Sequence, residues 1–288
     1  MKEIVVLSGK GGTGKTSIVA SFAALAQNKV LADCDVDAAD LHLLLKPKVK
    51  EEKEFWSGQV AYIDEGKCTE CGLCQELCHF GAINDFKVDA VSCEGCGFCY
   101  QVCPVDAITM KDSMSGHSFI SETKYGYLCH ARLGIAQENS GKLVALVRQN
   151  AKLIAEREEL GYVITDGPPG IGCPVISSLS GASLALLVTE PTLSGIHDLE
   201  RVIGVCRHFG IPVLVCVNKY DVNEENTSRI ESYCGQEGIE MAARIPFDNV
   251  MTEAIVERLP VVEYSDNRVG RQIEALWQVT LAKVESRR

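Results

Sequence analysis

Short, almost uninterrupted apolar runs alternate with longer segments of helical period along most of this 288-residue chain. Ile4-Val5-Val6-Leu7, Val30-Leu31-Ala32, Tyr162-Val163-Ile164 and Val213-Leu214-Val215-Cys216-Val217 are too short for buried helices and read as strands covered on both faces. Helices are predicted from near Thr16 and from about Leu143 to Glu159, with further strands at Ser118-Phe119-Ile120 and Gly126-Tyr127-Leu128. This alternation predicts an α/β fold: a mostly parallel sheet with helices on both faces and a ligand at the carboxyl ends of the strands. Residues 59–112 break the alternation. The chain is therefore divided into a main domain, first part (1–58), a small inserted α+β domain (59–112) and the main domain, second part (113–288). The polar run Lys48 to Lys53 is read as the connector into the insert.

The insert carries Cys68-x₂-Cys71-x₂-Cys74-x₃-Cys78 and Cys93-x₂-Cys96-x₂-Cys99-x₃-Cys103-Pro104. The runs repeat at an offset of 25 residues (68 to 93), and Gly72/Gly97, Ala82/Ala107 and Ile83/Ile108 match as well. Their spacing resembles that of bacterial two-cluster ferredoxins, in which three closely spaced thiolates grip one cubane and the fourth ligates the other. The resemblance implies a ferredoxin-like insert with two [4Fe–4S] clusters. Cluster one takes Cys68, Cys71, Cys74 and Cys103, and cluster two takes Cys78, Cys93, Cys96 and Cys99. Structural zinc in Cys₄ sites is the alternative, although its usual sequence is two separated Cys-x₂-Cys pairs. His79 stands where the second run has Pro104, either as a surface histidine or as a modifier of the adjacent cluster's surroundings.

Composition narrows the setting. A 46% hydrophobic content supports a substantial core. A net charge of −11 argues against a nucleic-acid surface, which needs clustered Lys and Arg. The opening strand leaves no room for a signal peptide, and no apolar stretch reaches the roughly 18 residues of a membrane span. A cytoplasmic protein is expected, in which the 14 cysteines are metal ligands or buried thiols rather than disulfides. Cys34, Cys206 and Cys216 read as buried apolar residues, and Cys234 has no clear role.

Gly9-Lys10-Gly11-Gly12-Thr13-Gly14-Lys15-Thr16 fits the phosphate-loop pattern Gly-x₄-Gly-Lys-[Ser/Thr]. Its backbone N–H groups and the following helix N-terminus, from Gly9 to Ser17, would hold phosphates, because both present positive charge to an anion. Lys15 would reach the β- and γ-phosphates and Thr16 would ligate Mg²⁺. With the early lysine Lys10, the chain resembles the deviant-Walker ATPases of the MinD, ParA and nitrogenase-iron-protein group. The resemblance implies ATP, and a homodimer in which Lys10 crosses to the partner's nucleotide and Lys10, Lys15 and Asp35 are catalytic. Val30 to Asp37 resembles switch I, with Asp35 positioning the attacking water and the Mg²⁺ shell. Tyr162 to Gly170 resembles the Walker B strand and switch II, with Asp166 holding Mg²⁺ through water. Asn218 and Lys219 stand where family members hold the base. Arg244 to Asp248 resembles the next loop beside the base, or, read from Pro246 alone, a rigid strand exit. Asn218-Lys219-x-Asp221 also matches the residue types with which many GTPases read guanine, a conflict that disappears if Asp221 is a loop carboxylate or helix cap.

Cys173 lies seven residues after Asp166 (166 to 173), the offset of a cluster cysteine in nitrogenase iron proteins. With Cys129 as its one available counterpart, a cluster bridging two protomers is one reading and buried or free thiols are the other. Cys129-His130-Ala131-Arg132 also reads as part of a partner or metal surface. Near the chain end, Ile273, Leu276, Trp277, Thr280, Leu281 and Val284 share a helical face. That face is expected to pack on the domain rather than on a membrane, because Glu274 and Glu285 offset Arg271 and Lys283. The whole chain resembles MinD-like ATPases with an inserted ferredoxin domain. Two function classes follow. One is a dimeric ATPase coupling nucleotide state to electron transfer, for a partner metalloprotein or for metal–sulfur cluster assembly. The other is a MinD- or ParA-like positioning or scaffold ATPase with a structural ferredoxin.

Overall fold

In the computed structural model, which describes residues 1–134 and 139–286, the chain divides into two compact units. Met1–Glu52, Ser118–Ala131 and Gly141–Arg288 form the first, and Lys53–His117 with Arg132–Ser140 form the second. In chain order the elements are β1 (Lys2–Ser8), α1 (Lys15–Leu25), β2 (Lys29–Asp33), α2 (Leu41–Leu45), β3 (Lys48–Ile63), α3 (Leu73–Glu76), β4 (Ile83–Asn84), β5 (Lys87–Val88), α4 (Phe98–Val102), β6 (Ile108–Thr123) and β7 (Gly126–Leu133). They continue with α5 (Ser140–Arg157), β8 (Tyr162–Pro169), α6 (Cys173–Leu179), β9 (Leu184–Thr189), α7 (Leu193–His208), β10 (Val213–Asn218), α8 (Glu224–Gln236), β11 (Glu240–Ile245), α9 (Val250–Val256), α10 (Val261–Tyr264) and α11 (Arg268–Glu285).

The strand order is β11-β10-β9-β1-β8-β2-β7-β6-β3, and every pairing from β11 across to β7 is parallel. Side chains alternate between the faces of a strand, so each apolar run supplies two cores. Ile4, Val6, Leu186 and Leu214 pack beneath Ile18 and Phe22 of α1 and Ile273, Leu276 and Trp277 of α11. Val5, Leu7, Leu187 and Val215 pack with Val175 of α6, Leu199 of α7 and Ile230 of α8. The expected sheet with helices on both faces is thus observed. The apolar face of α11 is committed to the core, with the Phe22 and Trp277 ring centroids 5.0 Å apart. Among the described residues no helix is long and apolar enough to cross a membrane.

Two features depart from the sequence expectations. Lys48 to Lys53 is not a connector but the start of β3, the last strand in the order. Its apolar period is hidden because edge strands carry charge on both faces, and Lys50 pairs with Glu122 of β6 at 2.8 Å. Beneath the main sheet lies an ion cluster with no sequence signature. The Arg148 guanidinium donates to both Glu3 carboxylate oxygens at 2.7 Å and to the Ser180 carbonyl at 2.7 Å. Lys152 approaches the same carboxylate at 3.0 Å. Arg148 and Glu3 are both buried.

The second unit is small. β4 and β5 pair antiparallel, with Ile83 opposite Val88. Ala61, Ile63, Cys74, Ile83 and Ile108 form a core whose flanks are cysteines. Its strand residues are joined by Gln59 donating to Asp112 at 3.1 Å and Ser115 donating to the Ser57 carbonyl.

Breaking a buried ion pair on one side leaves the other charge uncompensated. Arg148→Leu should therefore lower the stability of the first unit by about 3–5 kcal/mol in chemical denaturation. A loss below about 1 kcal/mol would mean that Lys152 alone satisfies Glu3.

Candidate functional site

β1 ends at Ser8 and α1 begins at Lys15, so the intervening loop sits at the carboxyl edge of the sheet. Two of its glycines are obligatory. A Cβ on Gly9 would lie 2.3 Å from Cβ of Asp198, and Gly14, the N-cap of α1, is left-handed with φ 87°. The loop borders a cleft of about 490 Å³ lined by Thr13, Thr16, Ser17, Asp35, Asp37 and Pro168, among others. Residues from three separate motifs, the phosphate loop, switch I and the Walker B strand, meet beside this cleft.

The meeting point is Lys15. Its ammonium donates to Asp166 at 2.8 Å and to Asp35 at 3.4 Å. Asp33 stands opposite Asp166 in the register of β2 with β8 and accepts the N–H groups of Asp35 and Leu41, each at 3.2 Å. Burial pulls the Lys15 pKa down, but the neighbouring carboxylates of Asp166, Asp35 and Asp33 outweigh it and leave the pKa raised. Burial and the Asp166 charge push the Asp33 carboxyl well up, while burial pushes Asp35 up against the pull of Lys15. One lysine faces three carboxylates, so the site is short of positive charge. Oδ2 of Asp166 is buried without a hydrogen-bond partner. Together with Thr16 on the cleft wall, that orphaned oxygen and the charge deficit fit a divalent cation.

The remaining predicted nucleotide residues lie around the loop's rear. Asn218 donates from its amide to the Thr13 carbonyl at 2.8 Å, so it braces the phosphate loop. Lys219 and Lys10 both pair with Glu190, at 2.5 Å and 3.3 Å, and Lys10 also donates to Thr192 at 3.3 Å. Asp221 accepts the Phe247 N–H at 2.7 Å, tying the loop after β10 to the loop after Pro246, which is itself buried. It acts there as a loop carboxylate.

In the second unit two small cavities lie among the cysteines. One is lined by Cys68, Cys71, Cys74 and Cys103, the other by Cys78, Cys93, Cys96 and Cys99. Backbone N–H groups of Glu70 and Ala107 point at the Cys68 and Cys103 sulfurs, at 3.4 and 3.3 Å. His79 lines the second cavity and Pro104 the first. Among the described residues no three or more His, Cys, Asp or Glu side chains are placed to hold a single metal ion.

Residues 4–261 match the CobQ/CobB/MinD/ParA nucleotide binding domain. The chain belongs to this family. An uncharacterised protein of Methanocaldococcus jannaschii is 35% identical over 280 residues, covering 96% of this chain and 95% of that protein. An iron–sulfur cluster carrier protein of Pyrococcus furiosus is 25% identical over 127 residues, 39% of this chain and 42% of its own length. The septum site-determining protein MinD of Pyrococcus horikoshii, solved with Mg-ADP, superposes with a TM-score of 0.60 at 18% identity over 100% of this chain and 99% of that one. At that identity the likeness is one of fold.

Within this family member the two candidate bridging cysteines are not alike. Cys173 is exposed at the start of α6, whereas Cys129 is wholly buried on β7, beside Ala32 of β2, and burial pushes its thiol up to about 12. A ligand shared between two protomers would need Cys129 to leave the sheet, so that reading is withdrawn. Its neighbour His130 is also internal, stacked on Phe119 and bonded to Ser121 at 3.0 Å, with its pKa lowered to about 4 by burial and by His42. The Cys129–Arg132 segment is therefore not an open metal surface. Asp33, Glu190 and Asp198 are the site residues that sequence reasoning missed. Glu190 alone left a local signal, an acid and a proline directly after the apolar run of β9.

Gly9→Ala should weaken Mg-nucleotide binding at least about tenfold (~1.4 kcal/mol) in calorimetric titration, because the new Cβ meets Asp198. Since the Asp35 carboxyl is raised, its ionisation opposes folding of the nucleotide-free chain above its unfolded value. Asp35→Asn should therefore stabilise that chain at neutral pH, with the gain shrinking as pH falls toward the ordinary carboxylate value of 3.8. A pH-independent difference in melting temperature would refute the assignment.

Proposed function

We propose that this family member is a dimeric ATPase that couples nucleotide state to electron transfer through two [4Fe–4S] clusters. It would serve a partner metalloprotein or the assembly of a metal–sulfur cluster. The observation that carries the redox half is the pair of cavities, each lined by the four cysteines that the crossed ferredoxin pairing assigns to one cluster. The name of the Pyrococcus furiosus carrier relative supports a place in iron–sulfur chemistry. Family membership and the geometry around Lys15 support the nucleotide half.

In this reading the phosphate loop receives the triphosphate of ATP, and Lys15 exchanges Asp166 and Asp35 for the β- and γ-phosphate oxygens. Thr16 and Asp166 hold Mg²⁺, which supplies the positive charge that the three carboxylates and the phosphates need. Asp35, freed from Lys15, accepts a hydrogen bond from the attacking water and orients it at the γ-phosphorus. Lys10 leaves Glu190 and reaches the partner protomer's nucleotide, so Glu190 stores Lys10 in the nucleotide-free monomer. Loss of the γ-phosphate returns Lys10 to Glu190 and releases the switch segments, while Lys15 stays on the β-phosphate until ADP leaves. The clusters, when bound, supply one-electron transfer. The cysteine thiolates would hold them, and the Glu70 and Ala107 N–H groups would donate to the ligand sulfurs of Cys68 and Cys103. A positioning ATPase with a structural ferredoxin shares the first half of this sequence and none of the second.

Anaerobic protein should contain about eight irons per chain, two clusters of four. In EPR of the dithionite-reduced protein the cluster signal or midpoint potential should shift with MgATP and fail to shift in Lys10→Ala. Eight irons with spectra indifferent to nucleotide would exclude the coupling and leave the positioning role. Two zincs and no iron would exclude the clusters.

A further inference from the structure

Outside the nucleotide site the first unit has a second cleft of about 480 Å³, within the size range of small-ligand pockets. Three chain segments form it: the end of α2 and the residues after it, the turn between β6 and β7, and the exit of α9. Leu44, Leu45, Leu259 and the ring of Tyr125 give it an apolar floor. Leu44 and Leu45 are anchored in the core, and Tyr125 is fixed by donating its hydroxyl to Glu263 at 2.8 Å.

The polar wall is predominantly cationic in a chain of net charge −11. Four of the lining residues, Lys46, Lys48, Lys124 and Arg258, are basic, and Glu122 is acidic. Glu122 is already paired with Lys50 at 2.8 Å and Lys124 with Glu263 at 2.5 Å. The side chains of Lys46, Lys48 and Arg258 make no ion pair or hydrogen bond among the described residues. Three uncompensated cations therefore surround an apolar floor. Like charges brought together in this way repel one another unless an anion separates them.

We propose that this cleft binds a small organic anion with an apolar body and a carboxylate or phosphate end. The body covers the leucines and the Tyr125 ring, and the anionic end is shared by Lys46, Lys48 and Arg258. The proposal is independent of the redox reading.

Hexyl phosphate and hexanoate are the probes, titrated calorimetrically into the full chain saturated with MgADP so that the phosphate loop is occupied. Saturable binding with one site per chain is expected, at least tenfold tighter than for inorganic phosphate, and weaker at high salt. Lys46→Gln/Lys48→Gln/Arg258→Gln should weaken it at least tenfold, and Leu259→Glu should abolish it. MgADP affinity serves as the check that both variants are folded. The proposal fails if neither probe saturates, if hexyl and inorganic phosphate bind alike, if the triple variant binds as the parent does, or if a Glu-rich peptide binds the cleft while the small anions do not.

Discussion

Burying an ammonium among carboxylates costs several kcal/mol per ion before any attraction is counted, and the arrangement around Lys15 is built on that cost. Three parallel strands make it possible. β1 delivers the loop that leads into α1 and Lys15, while β2 and β8 run in register so that Asp33 and Asp166 stand side by side. Asp33 does not touch Lys15. It spends its two oxygens on the N–H groups of Asp35 and Leu41, which shapes the segment carrying Asp35 toward the cleft. The result is a cluster with too many negative charges for one lysine, held in place by the backbone N–H groups of Asp35 and Leu41.

Under the proposed function that imbalance would make the nucleotide-free and nucleotide-bound states differ at a few residues. In the proposed cycle Lys15 would give up Asp166 and Asp35 for phosphate oxygens. Lys10 and Lys219 share Glu190. Asn218 fixes the Thr13 carbonyl and so braces the loop backbone beside these ion pairs. A rigid loop with exchangeable ion pairs is the physical form of a switch.

Much of this was legible in local sequence. The apolar runs fell where strands formed because parallel strands covered on both faces need no alternation. The phosphate loop was legible because its glycines and lysine are contiguous, and the cysteine spacing anticipated which four residues line each cavity. Long-range register was not legible. Asp33 looked like one of three acids in a row of alternating residues, and only pairing with β8 sets it beside Asp166. Asp198 constrains Gly9 from a helix nearly two hundred residues away. Glu3 and Arg148 find each other through the same packing. Lys48 to Lys53 was misread because an edge strand's identity lies in its neighbour β6 and not in its own pattern. The bridging reading failed at Cys129 because the offset of Cys173 from Asp166 says nothing about whether its counterpart on β7 is covered.

The fourteen cysteines are sorted by solvent before they are sorted by ligand geometry. Cys34, Cys129, Cys206, Cys216 and Cys234 lie in the first unit and are all buried, and burial pushes each of these thiols upward, to about 12 for Cys129, Cys206 and Cys216 and about 11 for Cys234. At neutral pH they stay protonated and do not compete for soft metals or electrophiles. Seven of the eight cysteines around the two cavities, all but Cys74, retain access to water. Solvent-open thiols are therefore gathered in the small unit, with Cys173, exposed at the start of α6, as the exception in the first unit. Under the proposed function, loading with clusters and damage by oxidants would fall mainly on that small unit, while the buried cysteines of the nucleotide fold stay shielded.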